Sequence, residues 1–456
     1  MKRLTGRASA AVRRAVIPPS QPTERNIHFL YVEIVFASLL SAAASFNGTY
    51  VLRLGGSNAL VGLLSSIPAL LAVFTYLPSA RFLERQTNQM PWVVRSLFLA
   101  RLGYMFLPIL PFFMGRYVAE ATVAVLVSMQ VPAVFFSTAW SPLLSDVVPP
   151  RQRGNVLAWR SILSSGAIAP LIFLAGRWLD AVTFPGNYQW LYVAGVLGGL
   201  ASTYLVARIR PEAPAAPEGV AAEAAGVAAE AAGVAAEEAE PAPKPAPAAR
   251  GSWWADLRGL LAEEPGFRRI VVNTLLFNLG AWMIGPLFII FFVRELGASD
   301  GWVGTLGTLA HIGVILGYWL WRKVVRRLGD ARALLLAALP VCAHPFLVAL
   351  IPNLTVILIL DLAVNAIAPG VNLSHGMIFL DLLPPGRKYS ATAVYSMIMN
   401  AGAFVAPLIG VAIADRIGIA NTLLLGGTLR ALGALTFYLF PLKQPQPWPW
   451  RQGPAA

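Results

Sequence analysis

The chain is poor in the groups on which water-soluble chemistry depends. Only 12% of its 456 residues are charged, about half the share of an ordinary soluble domain. A single cysteine, Cys342, excludes an intrachain disulfide. No Cys-x-x-Cys, His-x-x-x-x-Asp or Gly-x-Ser-x-Gly grouping occurs, so a membrane-embedded lipid-modifying enzyme lacks its signature. A nucleotide-driven pump lacks its own, the Gly-x-x-x-x-Gly-Lys-Ser/Thr loop. Neither a cofactor nor a metal is expected.

Apolar residues are abundant. They make up 57% of the chain, and the mean hydropathy is +0.64. Segments long enough to cross about 30 Å of hydrocarbon are predicted at approximately 28–52, 59–80, 91–113, 118–146, 156–180 and 187–208. After a break they resume at approximately 267–293, 301–322, 331–352, 354–383, 389–414 and 419–441. The chain therefore reads as an all-α membrane protein of six plus six helices.

The formal net charge of +13 fits membrane orientation rather than nucleic acid. The tail holding Lys2, Arg3, Arg7, Arg13, Arg14 and Arg25 has no interleaved aromatics and leads straight into a hydrophobic helix. It lacks the pattern of a cleaved signal peptide and is expected to be retained. One set of loops carries that tail, Arg81 and Arg85, Arg151 and Arg153, Arg208 and Arg210, Arg322 to Arg327, Arg387 and Lys388, and Lys443. The opposite loops hold single bases such as Arg53, Arg116, Arg177, Arg294 and Arg416, mostly offset by Asp180, Glu295, Asp300 and Asp415. Both termini are thus expected in the cytoplasm, across the cell's cytoplasmic (inner) membrane.

One long stretch occurs twice. Gln130–Pro150 (QVPAVFFSTAWSPLLSDVVPP) aligns without a gap on Asn365–Pro385 (NAIAPGVNLSHGMIFLDLLPP). Gln130 falls on Asn365, Ser137 on Asn372, Trp140 on His375 and Asp146 on Asp381, a constant offset of 235. A second pair, Val51–Gly62 (VLRLGGSNALVG) and Val293–Gly304 (VRELGASDGWVG), shares six identities in twelve at an offset of 242. Duplicated halves with polar residues in mid-span mark secondary transporters. At about 100° per residue, Asp361, Asn365, Asn372 and His375 fall within roughly an 80° arc, and Gln130, Ser137 and Ser141 within roughly 40°. Such a stripe lines a solvated cavity or hydrogen-bonds neighbouring helices. Asn273, Asn278 and Trp282 on the seventh span, with Ser38, Ser41, Ser45 and Asn47 on the first, are candidates for the same wall.

The halves are expected at 28–210 and 266–441, after a basic tail at 1–27 and before a cytoplasmic tail at 442–456. Between them, 211–251 carries three near-copies of GVAAEAA and a Pro-Ala run, the composition of a disordered linker. At 252–265, Trp253, Trp254, Leu257, Leu260 and Leu261 share one side of an expected amphipathic helix on the membrane surface.

A charge near the centre of a spanning helix costs roughly 2.5–3.5 kcal/mol on insertion scales, so each needs a partner, water or a task. Glu33 is expected to pair with Arg101, and Asp361 with Arg430, either as structural ion pairs or in coupling. His375 beside Asn372 is a candidate proton carrier, or else a helix-to-helix hydrogen bonder.

Twelve helices in two homologous halves joined by a long cytoplasmic linker resemble the Major Facilitator Superfamily. The family signature after the second helix is matched by the acid-base pair Glu84-Arg85, and its later portion by Arg327-Leu328-Gly329 in the second half. Asp146-x-x-Pro149-Pro150-x-x-Arg153-Gly154 looks like the turn after the family's fourth helix. The resemblance implies two six-helix bundles related by pseudo-two-fold symmetry that tilt about a central site. Glu84, Arg85, Asp146, Arg153, Arg327, Asp381 and Arg387 are then cytoplasmic gate candidates, or orienting charges only. Gln130, Ser137, Trp140, Asn273, Asn278, Trp282, Asn365, Asn372 and His375 become the candidate substrate cavity. The expected function is a monomeric secondary transporter of a small solute, coupled to protons. The neutral-polar and aromatic wall suits a sugar-like, amphiphilic or drug-like solute better than a multiply charged one. A non-transporting receptor or scaffold on the same fold is the alternative.

Overall fold

A computed structural model describes residues 21–86, 88–149, 152–210, 253–384 and 387–442. The tails, the 211–251 segment and the side chains of Glu84, Ser141, Asp146, Trp253, Trp254 and Leu257 lie outside the described residues. Within them there are helices and turns and no strands.

In the first half the helices are α1 (Pro22–Ala44), α2 (Asn47–Arg53), α3 (Asn58–Glu84), α4 (Met90–Leu102), α5 (Leu110–Phe113), α6 (Val118–Ser128), α7 (Gln130–Val147), α8 (Arg153–Ala181) and α9 (Gly186–Ala207). The second half has α10 (Trp253–Glu263), α11 (Pro265–Ile290), α12 (Asp300–Leu328), α13 (Asp330–Leu350), α14 (Leu354–Asp381), α15 (Lys388–Ile417) and α16 (Ile419–Leu439). Among the described residues, eleven spans are long and apolar enough to cross a membrane. The shortfall from twelve falls on the third expected span. Its helix α4 ends at Leu102, and a 3-10 turn and the short α5 follow. Pro108 and Pro111 cannot donate to the helical ladder there. At Gly103 a Cβ would overlap the side chain of Met129, the residue where the fourth span is itself divided into α6 and α7.

The chain divides into two compact units, and the division does not follow the expected boundary at residue 210. Residues 48–73 group with the second half, and residues 74 onward with the first. In the first unit α1 lies along α8 and α9, and α4 packs against α7 and α9. In the second, α11 packs against α15 and α16, and α14 runs beside α12 and α13. Small residues permit these approaches, as expected where helices associate without a hydrophobic driving force. A Cβ at Gly410 of α15 would overlap the carbonyl oxygen of Met283 on α11, and one at Gly426 of α16 would overlap Ile284. We expect Gly410→Ala to force that helix pair apart at a cost of about 1–3 kcal/mol or more. Gly166→Ala, where the added Cβ meets nothing within 4 Å, should leave the melting temperature in detergent unchanged. Equal melting temperatures for the two variants would refute the close-approach argument.

On helix α10, Leu260 is fully buried in one cluster with Phe267, Ile270 and Phe437, which fastens this helix to the second unit.

Candidate functional site

The buried charges of the first unit form a closed network. Glu33 of α1 is buried, and its partner is Arg160 of α8 rather than Arg101. Arg160 donates to Glu33 Oε1 from Nη2 at 2.8 Å and from Nε at 3.2 Å. Its guanidinium also lies 4.6 Å from the ring centroid of Trp140 on α7. Arg101 is joined to Glu33 only through Ser202 of α9: Arg101 Nη2 donates to Ser202 Oγ at 3.0 Å, and Ser202 Oγ donates to Glu33 Oε2 at 2.7 Å. Arg101 Nη1 adds bonds to Thr203 Oγ1 and to the Gly199 carbonyl. Four helices of this unit, α1, α4, α8 and α9, are thus tied by charge-assisted bonds, in which the acid oxygens and both guanidiniums find protein partners.

The second unit treats its charges differently. Asp361 of α14 is not bonded to Arg430. It accepts from Asn365 Nδ2 at 3.1 Å, and its Oδ1 lies 3.8 Å from His344 Nε2 of α13. Asn365 also donates to the Asp361 carbonyl at 2.8 Å, so two members of the predicted polar stripe are bonded to each other one turn apart. His375 meets Thr274 Oγ1 of α11 at 2.7 Å, with the Tyr395 ring beside it. Asn273 is buried and committed elsewhere, its Nδ2 donating to the carbonyls of Thr436 and Phe440 at the end of α16. That is a helix-to-helix tie rather than an open cavity wall. Asn278, Trp282 and Asn372 are partly accessible. In the first unit Gln130 and Ser137 are partly accessible, Ser137 bonding the Val134 carbonyl at 2.8 Å, while Trp140 is buried.

Of the predicted gate residues, Arg387 pairs with Glu263 of α10 at 3.0 Å on an exposed surface. Arg153 Nε donates to the Val148 carbonyl at 3.1 Å. Arg85, Arg327 and Asp381 are exposed.

The duplicated turns produce a feature not anticipated from the sequence. Arg53 donates to Asp300 Oδ1 at 3.2 Å and to the Ala298 carbonyl at 2.9 Å. Arg294 donates to the Gly56 carbonyl and to Asn58 Oδ1. At the offset of 242, Gly56 corresponds to Ala298 and Asn58 to Asp300, so each arginine grips the same two positions of the other copy. Gly55 and Gly297, at corresponding places, have φ of 82° and 65°, a backbone that favours glycine. Asn58 Nδ2 also donates to Asp415 Oδ1 at 2.9 Å. These contacts all lie within the second unit, and they explain why residues 48–73 group with it.

The fold is that of a multi-pass membrane transporter. Residues 270–455 match the family model of the Major Facilitator Superfamily, and the chain as a whole shares its fold with solved transporter structures. No curated protein matches the sequence significantly. Among solved structures, the chain resembles a bacterial homologue of the human lysosomal transporter Spinster in an inward-facing, unoccupied conformation. The identity is 14% and the TM-score 0.61, over 92% of this chain and 97% of the other. It also resembles the nucleoside transporter NupG, with 12% identity and a TM-score of 0.65 over 91% and 99% of the two chains. A bacterial homologue of the iron transporter ferroportin, inward-facing, gives 11%, 0.65, 91% and 98%. At these identities the likeness establishes the fold, and both family and neighbours are transporters rather than enzymes.

Proposed function

We propose that the chain is a secondary active transporter that moves a small solute across the cytoplasmic membrane by alternating access, coupled to protons. The observation that carries this reading is the reciprocal arginine clasp between the duplicated turns. By the distribution of basic residues these turns lie on the outer side. The clasp is built from polar bonds whose arginines reach solvent while Ala298 and Asp300 are buried, and such bonds can part and re-form at modest cost. Exposed charges on the opposite turns, among them Arg85, Arg327, Asp381 and Arg387, supply the material for a second closure on the cytoplasmic side. Ionisable side chains held within the spans, Glu33, Asp361 and His375, are the candidates for carrying a proton. Both termini are placed in the cytoplasm and the working unit is a monomer.

The test is flux in proteoliposomes across a broad solute panel, with and without a pH gradient. Accumulation of at least one solute that responds to the gradient is expected. An Asn365→Ala, Asn372→Ala double variant should reduce it at least tenfold. Flux of no solute, or flux indifferent to the gradient, counts respectively against transport and against proton coupling.

A further inference from the structure

The two units satisfy their arginines in opposite ways. In the first, both Arg101 and Arg160 reach protein acceptors. In the second, Arg430 lies in the middle of α16 and, among the described residues, donates to no protein acceptor. Its Nε is enclosed and has no hydrogen-bond partner. Its close contact is the face of the Phe277 ring of α11, 4.8 Å from the guanidinium carbon to the ring centroid. A second enclosed nitrogen without a hydrogen-bond partner is His344 Nε2 of α13, a helix that packs against α16.

The surroundings define what could satisfy them. His344 stacks against Phe288 of α11 with centroids 5.1 Å apart, and Phe277 packs on Phe437 at 5.7 Å. Cys342, also on α13, donates to the Ala338 carbonyl of its own helix. The acid facing this interior is Asp361, 3.8 Å from His344 and bonded to Asn365. A buried guanidinium left without an acceptor is strongly unfavourable unless an anion or water reaches it. Guanidinium is also the side chain best matched to the two oxygens of a carboxylate or to a phosphate.

We propose that Arg430, with His344 on the neighbouring helix α13, is an anion-recognition subsite inside the second unit. Its ligand is a single anionic group, a carboxylate or a phosphate monoester, on an apolar body that the Phe277 and Phe288 rings accommodate. Asp361 disfavours a second negative charge on the ligand. That the ligand is the transported solute rests on the transport reading above; the subsite itself does not.

Two measurements on the detergent-purified full chain test this. The first needs no ligand. If Arg430 is held for a ligand and not for the fold, Arg430→Met should keep the melting temperature or raise it by about 2–4 °C. A fall comparable to that of a broken internal ion pair overturns the proposal. The second compares benzoate, octanoate and phenyl phosphate with benzamide, octanamide and phenol, and includes sodium chloride alone. At least one organic anion should raise the melting temperature saturably, and its neutral counterpart should not. Arg430→Met should abolish the shift, and Arg430→Lys should weaken it at least tenfold in concentration. Equal shifts from anion and neutral analogue, a shift surviving in Arg430→Met, a response to chloride alone, or no response to any anion each overturns it. Anion binding without flux in proteoliposomes would remove the transport reading and leave the subsite standing. Flux of solutes indifferent to Arg430→Met, together with no anion-dependent rise in melting temperature, would do the reverse.

Discussion

Replacing Glu33 by glutamine is expected to lower the stability of the protein by about 3–5 kcal/mol, the usual cost of leaving one member of a buried ion pair without its counter-charge. The reason lies in the connectivity. Glu33 Oε1 receives both Nε and Nη2 of Arg160, and Oε2 receives Ser202 Oγ, which in turn accepts from Arg101. One carboxylate therefore balances two cations, and without it the network keeps the buried Arg101 and the partly accessible Arg160 with no acid. The double variant Glu33→Leu, Arg160→Leu removes one charge of each sign, and it should recover most of the loss because isosteric apolar replacement of a buried pair is often neutral. Arg160→Leu alone should be the milder single change, since Ser202 and Arg101 still attend the carboxylate. Thermal unfolding of the four proteins in one detergent, read by Trp fluorescence, checks the order. A Glu33→Gln protein as stable as the parent would show that the network does not hold α1, α4, α8 and α9 together.

The second large effect concerns the arginine clasp. Hydrogen bonds to charged groups contribute about 1.5–3 kcal/mol each when the partner would otherwise be unmet. Arg53 and Arg294 each make two such bonds to the opposite turn. Even after discounting for solvent at these half-exposed sites, an Arg53→Ala, Arg294→Ala double variant should shift the closed–open balance by about 1.4 kcal/mol or more, which is tenfold in population. The chain offers a clean reporter, because Cys342 is its only cysteine. In a Cys342→Ala background, a cysteine at Gly48 would place its Cβ 3.6 Å from Ile289 Cγ2. Labelling of Gly48→Cys by a membrane-impermeant maleimide should accelerate at least tenfold in the double arginine variant. Unchanged labelling would mean that apolar contact alone closes these ends, and the alternating-access reading would lose its main support.

How much of this was legible in the sequence depends on whether the signal was local. The spans were, because hydropathy is a property of one segment at a time. The broken third span was signalled by Gly103, Pro108 and Pro111, yet it was masked by their apolar neighbours. Ion-pair partners were not local. Arg160 lies 127 residues from Glu33, and nothing in the composition around Arg160 says that its face of α8 turns toward α1 rather than lipid. Pairing Glu33 with Arg101 found a true member of the network and missed the residue that closes it. Asp361 and Asn365 were correctly seen to share a face, but a common face does not reveal that one bonds the other. The clasp was nearest to being readable. Both duplicated turns and their charges were visible in the sequence, and only the notion that two copies of a turn could hold each other was missing.

That reciprocity constrains what mutation can do to the chain. Each copy supplies at once the arm that reaches and the groove that is reached, so deleting a single residue from either turn displaces both halves of the handshake. The two turns can therefore change length only in step.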